Sequence, residues 1–166
     1  MVGEGRMGKV LVGRLLPGTD LINGIAKICK DNGVKYGVVT TAIGSLHKAV
    51  FKYLIPNSEL KMGAGYGDPY EMDGPIEFCS GMGLICPNDK GELIIHFHGV
   101  FNTSLRKGYE EVVPDVIYGG HMEPGENPVA ATVDLMIVEI EGVEMIRKYD
   151  EETEIATKLD IKETGI

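Results

Sequence analysis

Apolar residues follow two rhythms along the chain, and the change between them separates a single helix from a series of strands. Positions 9–16 are dense in Val and Leu, which suit a pleated surface, and Pro17-Gly18 stops the run. Beyond that break Leu21, Ile22, Ile25, Ile28 and Cys29 recur at spacings of three and four. They form one apolar stripe on a helix, with Asn23, Lys27, Lys30 and Asp31 outside it. Thr19 or Asp20 offers an oxygen to a free N–H of the first turn. Asn32-Gly33 supplies the left-handed residue that ends such a helix.

The remainder reads as strands. Positions 36–43 are a β-rich run closed by Gly44-Ser45, and 47–55 alternate until Pro56-Asn57. The Gly-, Asp- and Pro-rich stretch 57–75 predicts loop with at most one short edge strand, and Gly63-Ala64-Gly65-Tyr66-Gly67 within it reads as a flexible loop. Positions 76–86 and 92–101 flank Pro87-Asn88-Asp89-Lys90-Gly91 and predict a hairpin. Positions 132–141 and 143–149 flank Gly142, a second reversal. Many strands with one helix, in no regular alternation, predict an α+β subunit built on a mixed, largely antiparallel sheet. Residues 1–150 read as one domain. Residues 151–166 read as an acidic tail that frays or adds a short edge strand over 157–161.

Composition narrows the setting. A chain of 166 residues that is 43% hydrophobic suffices for one core. No apolar run approaches the ~20 residues of a membrane span, and the N-terminus lacks the pattern of an export signal. Cys29, Cys79 and Cys86 are odd in number and lie in apolar periodic segments, so they predict thiols of a reducing, cytoplasmic setting rather than a disulfide framework. The formal net charge of −9 argues against non-specific binding of nucleic acid by the whole surface. The charge is unevenly spread. Residues 1–52 hold eight basic residues (Arg6, Lys9, Arg14, Lys27, Lys30, Lys35, Lys48, Lys52) against Glu4, Asp20 and Asp31. That predicts complementary faces or a subunit contact, with a basic patch for DNA as the alternative.

The chemistry concentrates in the histidines. Within the strand-like run 92–101, alternation puts Leu93, Ile95, Phe97 and Phe101 on one face and His96 and His98 on the other. Two imidazoles then leave one rigid element in the same direction. Gly119-Gly120-His121 offers a third, and its glycines permit close backbone approach to a neighbouring strand. Three neutral imidazoles suit zinc, with iron or nickel as alternatives, and leave a coordination position open. The competing reading makes all three packed or surface residues. His47 has no partner in sequence and reads as structural or exposed. Glu123, two positions after His121, and Asp134, which interrupts an apolar strand, are carboxylates able to support an ion or move a proton.

Several of these segments together resemble the plants-and-prokaryotes-conserved domain, the PPC domain. They are the strand, Pro-Gly and capped helix ending at Asn32-Gly33-Val34, Thr41-Ala42-Ile43-Gly44-Ser45-Leu46, and Asp73-Gly74-Pro75-Ile76-Glu77-Phe78-Cys79-Ser80-Gly81. The series continues with His96-Phe97-His98-Gly99 and with Tyr118-Gly119-Gly120-His121 leading to Val129-Ala130-Ala131-Thr132-Val133. The resemblance implies a sheet-rich α+β subunit with one main helix, assembled as a homotrimer. It also implies a metal site of the prokaryotic stand-alone type on His96, His98 and His121. Plant members join this domain to AT-hooks and act on AT-rich DNA. No Arg-Gly-Arg-Pro element stands in this chain, so the minor-groove arginine such a hook supplies is missing. Three functions follow as expectations: a trimeric metal protein that acts on a small molecule, a DNA-binding regulator, and a trimeric partner-binding module without chemistry.

Overall fold

A computed structural model describes residues 2–103 and 116–165, apart from the side chain of Thr157. In chain order its elements are β1 (Arg6–Leu15), α1 (Leu21–Asp31), β2 (Gly37–Lys52), β3 (Leu54–Pro56), β4 (Ala64–Tyr66), β5 (Tyr70–Pro87), β6 (Leu93–Thr103), β7 (Val116–Met122), β8 (Val129–Glu141), β9 (Val143–Asp150) and β10 (Ile155–Glu163). Six strands form the main sheet in the order β1-β8-β2-β5-β6-β7, and β7 also touches the end of β2, so the sheet curls back on itself. Every ladder among the described residues is antiparallel. The α+β expectation therefore holds, and its mixed-sheet element reduces to one isolated parallel bridge, Asn88 to Arg147.

The helix lies where its stripe predicts. Leu21, Ile22, Ile25 and Cys29 are buried with Phe78, Phe97 and Phe101 from the inner face of the sheet. Asp20, rather than Thr19, is the cap. Its carboxylate accepts from Asn23 N at 2.8 Å, from Gly125 N at 3.0 Å and from Asn127 N at 2.8 Å, so one side chain fixes both the helix start and the loop after β7. Asp20→Ala should lower unfolding free energy by about 2 kcal/mol, more than a lone cap gives, because two further donors lose their acceptor. Urea denaturation monitored by circular dichroism checks this.

Three expectations need correction. Gly44-Ser45 does not end a strand. β2 runs through it for 16 residues, with irregular register near Val39, Gly44 and Leu46, and pairs with β5 and β8 along its two edges. The 57–75 stretch is less irregular than its composition suggests, since β4 pairs with β3 and β5 begins at Tyr70. The run Gly63–Gly67 is thus a short strand with flanking turns rather than a flexible loop. The reversal at Gly142 leads out of the main sheet, and β9 pairs with β10 from Asp150↔Ile155 to Val143↔Glu163. This ribbon packs Val143 and Met145 with Cys86, against Tyr36 and Ile140, on the outer face of the sheet.

Candidate metal centre

Strand parity builds the site. Ile95, Phe97 and Phe101 point into the core, which leaves His96 and His98 on the outer face of β6. β7 places His121 directly opposite His98, where cross-strand side chains on one face meet, and His96 lies one step along the diagonal. The glycines act as their positions suggest. A Cβ on Gly120 would stand 2.7 Å from Lys52 O, so only glycine lets β7 close onto β2, and His121 pairs in register with Lys52. The structure thus brings all three histidines together.

His96 Nε2 and His98 Nε2 are 3.2 Å apart, and one ligand nitrogen from each of the three rings lies within 4.8 Å of the others. Nitrogens about 2.0–2.1 Å from a tetrahedral zinc stand roughly 3.3 Å apart. One pair already has that spacing. His121 Nδ1 is buried with no hydrogen-bond partner, a costly arrangement for a ring nitrogen that a metal ion would relieve. All three rings favour the neutral, ligating form. Burial, then the Arg147 charge and the neighbouring imidazoles, push His96 down to about 4. Burial lowers His98. Burial and His98 lower His121, against a smaller opposing pull from Glu123.

These shifts fix a sign for the metal-free protein. An unfolded chain takes up protons near the ordinary histidine value of ~6.5, before folded His96 does near 4. Acidification between those values therefore favours the unfolded state. The urea midpoint of chelated protein should fall from pH 7 to pH 5, and His96→Phe should flatten that slope.

The structure places Glu123 at the site and adds Lys52, Tyr66 and Arg147, which spacing alone did not single out. Lys52 Nζ lies 3.0 Å from Glu123 Oε2, and Glu123 Oε1 lies 3.9 Å from His121 Nε2. Tyr66, carried by β4, sets its ring 5.2 Å from that of His121. Arg147, only 9% exposed, comes from β9. With these residues His96 and His121 border a cavity of about 500 Å³, while His98 lies outside its wall. Asp134 is exposed and accepts from Thr132 Oγ1 at 3.1 Å, and it is absent from both the histidine group and the cavity wall. His47 is exposed on β2, outside the group.

The basic residues of the first third mostly face acids. Arg6 pairs with Glu141, Lys9 with Glu139, Lys27 with Asp31, Lys48 with Glu71 and Glu126, and Lys52 with Glu123. Arg14 stands opposite Asp134 in the β1–β8 ladder. No helix among the described residues is long and apolar enough to cross a membrane.

The chain is thus an α+β protein with a curled antiparallel sheet, one helix among the described residues and three strand-borne histidines on the outer face of the sheet. The chain belongs to the Plants and Prokaryotes Conserved (PCC) domain family, which it matches over residues 2–141. Its fold is that of a metal-containing protein from Archaeoglobus fulgidus (23% identity, TM-score 0.77, covering 96% of this chain and 99% of that one). It is also similar to a plant- and prokaryote-conserved (PPC) protein from Pyrococcus horikoshii (21% identity, TM-score 0.73, 96% and 99% covered). A third similar structure is a candidate DNA-binding protein from Bacteroides thetaiotaomicron (16% identity, TM-score 0.70, 94% and 96% covered). No curated protein matches the chain.

Proposed function

We propose that His96, His98 and His121 hold one divalent ion, zinc in preference to iron or nickel, and that a cytoplasmic homotrimer uses it on a small molecule. The observation that carries this reading is the convergence of three neutral imidazoles from two paired strands within 4.8 Å. The metal-containing character of the similar Archaeoglobus protein supports it. Bound there, the ion would polarise a carbonyl or lower the pKa of a water molecule. The chain's own groups divide the remaining work. β6 and β7 fix the ring directions, burial favours neutral rings with one nitrogen each free to ligate, and Lys52 holds Glu123 beside His121. Glu123 Oε1, 3.9 Å from His121 Nε2, is a carboxylate placed to take a proton at this site.

Trimer formation has a physical motive in the outer face of the sheet. Val12 (83% exposed), Ile117 (73%) and Met82 (60%) lie on that face, with Val10, Ile43 and Val100 also exposed. An apolar surface spread over five strands favours burial against a further subunit. Light scattering should give three times the 18.0 kDa chain mass, and a monodisperse monomer would refute assembly. The DNA-binding reading has less behind it, because the basic residues of the first third mostly meet acids on their own chain.

Calorimetric titration of chelated protein with zinc tests the metal reading. One site per chain is expected, and saturable uptake that survives in His121→Ala would count against this assignment.

A further inference from the structure

We propose that the cavity bordered by His96 and His121 binds an uncharged alcohol, its hydroxyl against the imidazoles and its hydrocarbon body along the apolar wall. That this ligand meets an ion rests on the metal reading above; its selection rests on the cavity wall alone.

The cavity arises from strand lengths. β7 pairs with β6 only from His98 onward, so the stretch 93–97 of β6 has no strand on that edge. α1, the segment following β7, and the β9–β10 ribbon surround this open edge and enclose about 500 Å³, a size that suits a metabolite. Ile22, Ala26, Leu93, Met122 and Ile155 supply an apolar wall. Three polar rings cluster on the same lining, with Tyr66 to His121 and His121 to His96 each 5.2 Å between centroids. A neutral imidazole presents one N–H and one bare nitrogen, and a hydroxyl both donates and accepts, so an alcohol can pair with either.

The charges on the wall balance and are engaged. Its ionised side chains are Lys52, Arg147, Glu123 and Glu154, two of each sign. Lys52 pairs with Glu123 at 3.0 Å, and Glu154 Oε2 accepts from the backbone N–H of Lys61 at 2.9 Å. The buried Arg147 engages the thiol of Cys86, which is not part of the wall. A ligand that entered as an anion or a cation would give up its hydration for apolar side chains and find these charges already committed. An uncharged molecule of the same shape avoids that cost, keeps the gain from burying its hydrocarbon, and needs a partner only for its one polar group.

The test is NMR titration of the full-length, chelated chain with ethanol, butanol, hexanol, hexanoate and hexylamine. Affinity for the alcohols should rise about three-fold per added methylene, as expected for burial of hydrocarbon. Hexanol should bind roughly ten-fold more tightly than hexanoate or the hexylammonium ion, whose charge must shed water without a partner. Glu123→Gln leaves Lys52 without its acid and should raise hexanoate affinity roughly three-fold, a gain of the size an ion pair near the surface gives. Ala156→Phe, a substitution at an exposed strand position on the cavity wall, should keep the dispersed spectrum of the wild type and lose hexanol about ten-fold. Equal affinities for ethanol and hexanol, hexanoate or hexylammonium binding as tight as hexanol, or unaltered hexanol binding in Ala156→Phe would overturn the proposal. Zinc uptake without alcohol binding would refute this inference alone. Alcohol binding by a chain that takes up no zinc would refute the metal reading alone.

Discussion

Purified without a histidine tag, the wild-type chain should carry close to one divalent ion per polypeptide, and the His96→Ala/His98→Ala variant should carry almost none. The double substitution removes two of three ligands from one strand. Its effect on affinity should exceed the roughly ten- to hundred-fold cost of losing a mere supporting partner of a metal ligand. The fold should survive. His98 is exposed and His96 half-buried, while the core contacts of β6 come from Ile95, Phe97 and Phe101 on its other face. Elemental analysis distinguishes zinc from iron and nickel in the same measurement. A second readout is thermal. An ion that binds only the folded chain raises its melting temperature, so a chelator should lower it in the wild type and leave the variant unmoved. Absence of metal from both proteins, even after reconstitution, would return the histidines to packing and surface roles.

Much of this site was legible in the sequence because it depends on local rules. Alternation along a strand puts His96 and His98 on one face whatever the strand pairs with. The helix likewise followed from its own stripe and caps. What could not be read depends on pairing between distant segments. Lys52 reaches His121 only because β7 registers on the end of β2, and Tyr66 arrives on a two-strand hairpin inside a stretch whose Gly and Pro content reads as loop. Gly44 looks like punctuation, yet it continues β2. A Cβ there would lie 2.0 Å from Thr132 O, so its role is close approach to β8. Period-two patterning also cannot tell a strand that stays in the main sheet from one that leaves it, so the departure of β9 to pair with β10 could not be read. Arg147 did leave a cue. It shares strand parity with Val143 and Met145, so an arginine stands among inward-facing apolar positions, the mark of a buried charge with a task.

Gly120→Ala should weaken zinc binding ten-fold or more without touching a ligand. The added Cβ would lie 2.7 Å from Lys52 O and 3.1 Å from Phe51 Cδ2. The first is a backbone atom of a paired strand, and the second belongs to a ring packed against Phe101, Tyr53 and Tyr70, so neither can yield cheaply. β7 must instead move away from β2, and His121 is the next residue along it. The displacement also breaks the Phe51–Met122 pairing, so overpacking should lower stability by about 1–3 kcal/mol. Gly119→Ala provides the comparison. Its Cβ would meet Gly99 O at 3.0 Å and the Val100 side chain at 3.4 Å, a milder conflict on the β6 side. Zinc calorimetry and urea denaturation of the two variants should therefore rank Gly120→Ala as the more damaging in both. If Gly120→Ala instead binds zinc like the wild type at an unchanged urea midpoint, the β2–β7 contact does not position His121, and the pairing of β6 with β7 alone must hold the third ligand.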